Sequence, residues 1–166
     1  MHAPEAETLA TYKNTGKQGR DAELGPLSTR ASIINEDQKS ALYLIRGLYK
    51  MARGWHDRGH VQSAKCIYRF IVGLRDKFPD LACLEMTLSL NNLGLILMLE
   101  NAVVEAEDMF VRALASCYEI LGDEHEVFSN LLLDYADLMR LMGLEDQAQA
   151  LEKRAGNRGR SLPAVS

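Results

Sequence analysis

Apolar residues recur every three or four positions along most of the chain, the period of amphipathic helices. The recurrences fall into six runs. The clearest pair lies in the middle. Leu90, Leu93, Gly94 and Leu97 keep helical spacing, a turn centred on Asn101 follows, and Ala106, Phe110 and Ala113 resume the spacing. Upstream, Asn35 with Gln38 reads as a capping box, and Leu42, Ile45, Leu48, Tyr49, Ala52 and Trp55 mark the face of a first helix. Gly59 ends it, as glycine does where a helix closes left-handed. The second run, about 60–77, carries Val61, Ala64, Ile67, Tyr68, Ile71 and Leu74, and Phe78-Pro79-Asp80 breaks it. The third climbs from about 81 through Leu84, Thr87, Leu88 and Leu90. The fourth, about 102–121, carries Val103, Ala106, Met109, Phe110, Ala113, Tyr118 and Leu121. Asp123 with Glu126 reads as a second capping box. Val127, Leu131, Leu132, Tyr135, Leu138 and Met139 follow, ending at Gly143, and a short polar run occupies 144–156. No period-two alternation or hairpin dipeptide competes, so the fold class is all-α.

The six runs repeat. Ala64, Ala106 and Ala148 stand 42 residues apart, each five residues after a turn residue: Gly59, Asn101, Gly143. The same interval relates Leu48, Leu90 and Leu132; Trp55, Leu97 and Met139; and the small residues Ala52, Gly94 and Ala136. Ile71, Ala113 and Ala155 form a further column. Antiparallel helices approach closely only where small residues face each other, with large ones filling the seam between. One such hairpin cannot bury both its faces, whereas three stacked hairpins give a continuous core. The middle hairpin then has neighbours on both sides, which accounts for its near-uniform apolarity.

Composition narrows the class of partner. Hydrophobic residues make up 47% of the 166, enough for a core, and the formal net charge is -4. With a pI near 5.6, wholesale binding of nucleic acid or an anionic membrane is not expected. Cys66, Cys83 and Cys117 are odd in number, lack metal-ligand spacing and sit among apolar neighbours, so they read as small buried hydrophobes in a reducing compartment. No signal-peptide pattern opens the chain, and its longest apolar run, Leu93 to Leu99, is far short of a membrane span. The expectation is a soluble, cytoplasmic protein. Residues 1–34 are polar with balanced charge and lack persistent periodicity, so they are expected to be flexible, as is the tail 157–166. Between them lies one domain, 35–156, with repeats at about 42–79, 84–122 and 126–156.

Leu90-x2-Leu93-Gly94-x2-Leu97 followed by Ala106-x3-Phe110 and Ala113 resembles the tetratricopeptide repeat. The 42-residue period, with NNLG, EAEDMFVRAL and LGDEHE, is similar to the kinesin-light-chain-like branch of that family. In the outer repeats Met51 and Tyr135 replace the Leu, Ala52 and Ala136 the Gly, and Glu152 the aromatic. The resemblance implies an α-α superhelix whose first helices line a concave groove for a partner peptide or helix. Carried over position by position, the groove takes Arg46, Tyr49, Lys50, Arg53 and His56 from the first repeat. Leu88, Asn91, Asn92, Leu95 and Met98 come from the second, and Asn130, Leu133, Asp134, Asp137 and Arg140 from the third. Asn91 and Asn92 are the sharpest candidates, because an amide carries a donor and an acceptor for any peptide backbone. Leu95, Met98 and Leu133 would supply an apolar floor.

Catalytic signals are weak. His56, Asp57 and His60 form the tightest metal-like cluster, but Gly59 breaks the helix between the histidines and no third ligand is evident. Asp123 to Glu126 reads as helix capping, and no phosphate loop, dinucleotide fingerprint or nucleophile elbow is present. The expectation is therefore a non-catalytic interaction scaffold with no cofactor or metal. Its alternative is a structural subunit or homo-oligomer in which the N-terminal segment wraps a neighbour.

Overall fold

The computed structural model describes residues 35–78 and 80–156; the expectations for 1–34 and 157–166 lie outside the described residues. Six α-helices follow one another: α1 (Glu36–Asp57), α2 (Val61–Lys77), α3 (Leu84–Leu99), α4 (Val103–Leu121), α5 (Glu126–Leu141) and α6 (Glu145–Gly156). Among the described residues there is no strand, and no helix is long and apolar enough to cross a membrane.

Three of the connections are the same structure. Gly59, Asn101 and Gly143 all have positive φ, of 83, 60 and 76°. In each turn the next residue's N–H returns to the carbonyl five positions back: His60 to Trp55, Ala102 to Leu97 and Leu144 to Met139, all at 2.9 Å. The left-handed residue itself donates three positions back, to His56, Met98 and Arg140. Both bonds together make the Schellman closure, which satisfies carbonyls that a helix end otherwise leaves open. Asparagine replaces glycine once because its short side chain tolerates this region better than most.

The small columns are where helices meet. Ala52, Ala64, Ala106, Ala136 and Ala148 have no exposed surface. A Cβ built on Gly94 would lie 3.2 Å from the Phe110 ring, so ring and glycine backbone are already in contact. α3 packs on α4 and on α2, α4 on α5, α5 on α6, and α3 also touches α5. α1 joins α2 through a cluster of Ala41, Ile45, Ile71 and Leu74, to which Leu81, Cys83 and Met86 are added. α3 is buried nearly all round, and even Thr87 and Ser89 are covered. Thr87 Oγ1 lies 2.7 Å from Ser116 Oγ, and Ser89 Oγ donates to the Glu85 carbonyl at 2.6 Å. These bonds let a central helix carry hydroxyls without leaving them unpaired.

The structure corrects three sequence expectations. The residue capping α5 is His125, whose Nδ1 accepts from the Val127 N–H at 3.1 Å; Asp123 lies two residues too early. Cys66 is exposed, while Cys83 and Cys117 are buried as expected. Trp55 is 39% exposed although its counterparts Leu97 and Met139 are buried.

Candidate functional site

The candidate residues occupy the same four positions of three helices. Arg46, Tyr49, Lys50 and Arg53 on α1 have the i, i+3, i+4, i+7 spacing of one helical face. Leu88, Asn91, Asn92 and Leu95 repeat it on α3, with Met98 a turn further on. Asn130, Leu133, Asp134 and Asp137 repeat it on α5. Two bonds tie these helices together. Arg46 Nε donates to Glu85 Oε1 at 3.2 Å, linking α1 to α3, and Asn91 Nδ2 donates to Asp134 Oδ2 at 2.6 Å, linking α3 to α5.

Accessibility divides the set. Arg46, Lys50, Arg53, Asn130, Leu133 and Asp137 are exposed. Tyr49, Leu88, Asn92, Leu95, Met98 and Asp134 are half-buried. Asn91 departs from expectation: it is buried, its amide N–H is held by Asp134, and its Oδ1 has no partner among the described residues. It is a bridge between helices rather than a free amide. Asn92, one position on, stays half-buried and within reach of solvent.

Charge is graded across the face. At the α1 end, Arg46 is engaged with Glu85, leaving Lys50 and Arg53 as exposed cations. At the other end Arg140 is shared among Glu152, Glu145 and Asp137; the Glu152 hydrogen bond above all raises its already high pKa, and its charge is locally neutralised. Burial pushes the Asp134 carboxyl above the usual carboxylate range; the Asn91 bond pulls it down and Asp137 adds to the rise. A buried carboxylate is hard to ionise because water no longer solvates it.

Behind Tyr49 and His56 lies Tyr68, a residue that sequence periodicity identifies only as core. Its ring is 6.3 Å from Tyr49 and 6.4 Å from His56. It is wholly buried, its hydroxyl has no partner among the described residues, and burial above all pushes its pKa up to about 12. His56 faces Tyr68, whereas His60 stacks edge-on against Trp55 at 5.3 Å, so the two histidines of the metal-like cluster have separate aromatic partners. Among the described residues no group of three or more His, Cys, Asp or Glu is arranged to hold a metal ion.

Arg140 as a hub and Glu85 as the anchor of Arg46 were not legible as such. Asp137 and Glu145 lie within five residues of Arg140, but Glu152 is 12 residues away and Glu85 is 39 from Arg46, and no local pattern announces those two. Compared with known proteins, the chain matches no family model and no curated protein.

Proposed function

We propose that this chain is a non-catalytic protein-interaction module. In this reading three helical hairpins, α1–α2, α3–α4 and α5–α6, stack in a tetratricopeptide-like superhelix. The first helices α1, α3 and α5 line a concave groove for a partner peptide or helix. The observation that carries it is the triplicated Schellman turn at 42-residue spacing, joined to buried small residues at matching positions. Three equivalent units in register put equivalent faces side by side. The bonds Arg46–Glu85 and Asn91–Asp134 support neighbouring placement of those faces.

The groove so defined has a cationic end at Lys50 and Arg53, and a middle of Asn92, Leu95 and Met98. Its far end carries Leu133 with the acidic Asp134 and Asp137. The segment it fits is extended or helical, apolar at its centre and acidic where it meets α1.

Selection from a displayed peptide library tests this. Enriched peptides should carry acidic residues on one side of an apolar centre. Arg53→Glu and Lys50→Glu should each weaken capture about tenfold or more, while both variants, at exposed positions, melt within a few degrees of wild type. If nothing is enriched, or if the enriched peptides bind both variants as well as wild type, the groove reading fails.

A further inference from the structure

α1 has a third face, separate from its core face (Ala41, Ile45, Leu48, Ala52) and from the groove face. Tyr43, Gly47, Met51 and Trp55 form an i, i+4 ridge along it, flanked by Leu44 and Gly54. This face is strongly apolar and open: Tyr43 is 74% exposed, Leu44 49% and Met51 45%.

The 42-residue register shows what such a face does elsewhere in the molecule. The counterparts of Leu44, Gly47, Met51, Gly54 and Trp55 are Met86, Ser89, Leu93, Ile96 and Leu97 on α3. On α5 they are Phe128, Leu131, Tyr135, Leu138 and Met139. All ten are buried. On α5 this face meets the preceding helix. Phe128 lies 6.4 Å from Tyr118 and Tyr135 lies 6.0 Å from Phe110, ring to ring, both partners being on α4. The Tyr135 hydroxyl also donates to Glu107 of α4 at 3.0 Å. α1 thus carries a helix-docking face, left open.

The other end of the molecule does not match it. Where α4 presents Phe110 and Glu107, α6 has Glu152 and Gln149. Glu152 is engaged with Arg140. A head-to-tail stack of copies would therefore set an apolar face on a polar one. The α1 face is instead complementary to itself. Gly47 stands mid-face, with nothing within 4 Å of where its Cβ would be. Asp37 lies at one end of the face and Arg58 at the other, both exposed. Two α1 helices running antiparallel and crossing at Gly47 bring their backbones close. Leu44 of each copy then meets Met51 of the other, and Asp37 of each meets the other's Arg58.

We propose that two copies of the chain pair through this face, α1 against α1, about a two-fold axis at Gly47. The contact buries on the order of 1,000 Å² in total, the low end for specific interfaces, and a dissociation constant on the order of 10 µM is the expected result. The groove face of α1 stays open in the pair.

Sedimentation of the full 166-residue chain from 1 to about 200 µM tests the proposal. Wild type should pass from monomer to dimer, while Gly47→Arg, which fills the crossing point, should weaken pairing about a hundredfold. Its site is open space, so its melting temperature in dilute solution should be no lower than wild type. Asp37→Asn should weaken pairing about fivefold, as loss of a rim charge pair does. In a Cys66→Ser background, Gly47→Cys should form an interchain disulfide under mild oxidation faster than Gly73→Cys, which places a thiol on α2. The proposal is overturned by a monomeric wild type at 200 µM, in which case residues 1–34 or a different protein cover the face. Dimerisation undiminished in Gly47→Arg overturns it equally, as does equal cross-linking at 47 and 73.

Discussion

Gly94 and Gly47 are both helical glycines, and their surroundings give substitution opposite signs. Alanine at Gly47 meets open space and gains helix propensity, so it should stabilise the monomer by about 0.5–1 kcal/mol. At Gly94 the added methyl would lie 3.2 Å from the wholly buried Phe110 ring, which would have to shift by a few tenths of an ångström to admit it. There, overpacking of about 1–3 kcal/mol exceeds the propensity gain, and Gly94→Ala should destabilise. Urea denaturation at low protein concentration reads both. Polar residues differ as sharply. Asn91→Ala strands a half-buried carboxylate and should lower stability by about 1–3 kcal/mol. Tyr68→Phe removes a buried hydroxyl with no partner and should leave stability unchanged or higher. Two pH effects follow. Burial raises the folded pKa of Asp134, so the folded chain holds that proton more tightly than the unfolded one. Its contribution favours folding at acid pH and is lost as pH rises through the folded value. Asp134→Asn removes that contribution, so the variant's denaturation midpoint at pH 4, relative to its midpoint at pH 7, should be lower than in wild type. Tyr68 behaves alike at the alkaline end. Between the ordinary value of 10 and about 12 the unfolded chain loses its proton first, so stability falls with pH in wild type and less in Tyr68→Phe.

Among the elements, the turns between paired helices are where backbone conformation is most tightly demanded. Gly143→Ala places a Cβ in the left-handed region and should cost about 1 kcal/mol, while Asn101→Gly should gain a few tenths. Thermal melts of the two variants would separate this local strain from packing, since neither residue is in the core. Helix ends were legible to within about three residues because Gly59, Asn101, Gly122 and Gly143 mark them directly. The start of α5 was misread because a capping box can be written in two registers. Asp123 and His125 both offer an acceptor, and the helix starts at Glu126, which makes His125 the residue at the N-cap, accepting from the Val127 N–H. Core faces were legible for the same periodic reason, but the periodicity assigned Trp55 inward. Its column is buried in α3 and α5, where α2 packs on the one and α4 on the other.

At the scale of the molecule, the proposed groove and pairing faces would occupy different sides of α1, so they should act independently. Gly47→Arg should weaken pairing about a hundredfold and leave peptide capture intact, whereas Arg53→Glu should weaken capture and leave pairing intact. Titrating one selected peptide against both variants, with sedimentation in parallel, checks this. Coupled losses would mean that the two surfaces overlap or that the variants unfold.

The sequence by itself determined the helices, their turns and the 42-residue register. Each rests on local physics: a 3.6-residue period, a left-handed residue at a helix end, a small residue where backbones approach. What it could not determine is which polar residues on a helical face remain free. Asn91 and Asn92 are neighbours of identical chemistry, yet one is consumed by Asp134, 43 residues away, and the other is not. Nor could it show that the outer side of α1 is uncovered, since exposure depends on which helices are neighbours rather than on any residue's own kind. Those two facts, a buried amide and an exposed apolar ridge, belong to the tertiary structure because packing between distant segments creates the one and leaves the other accessible.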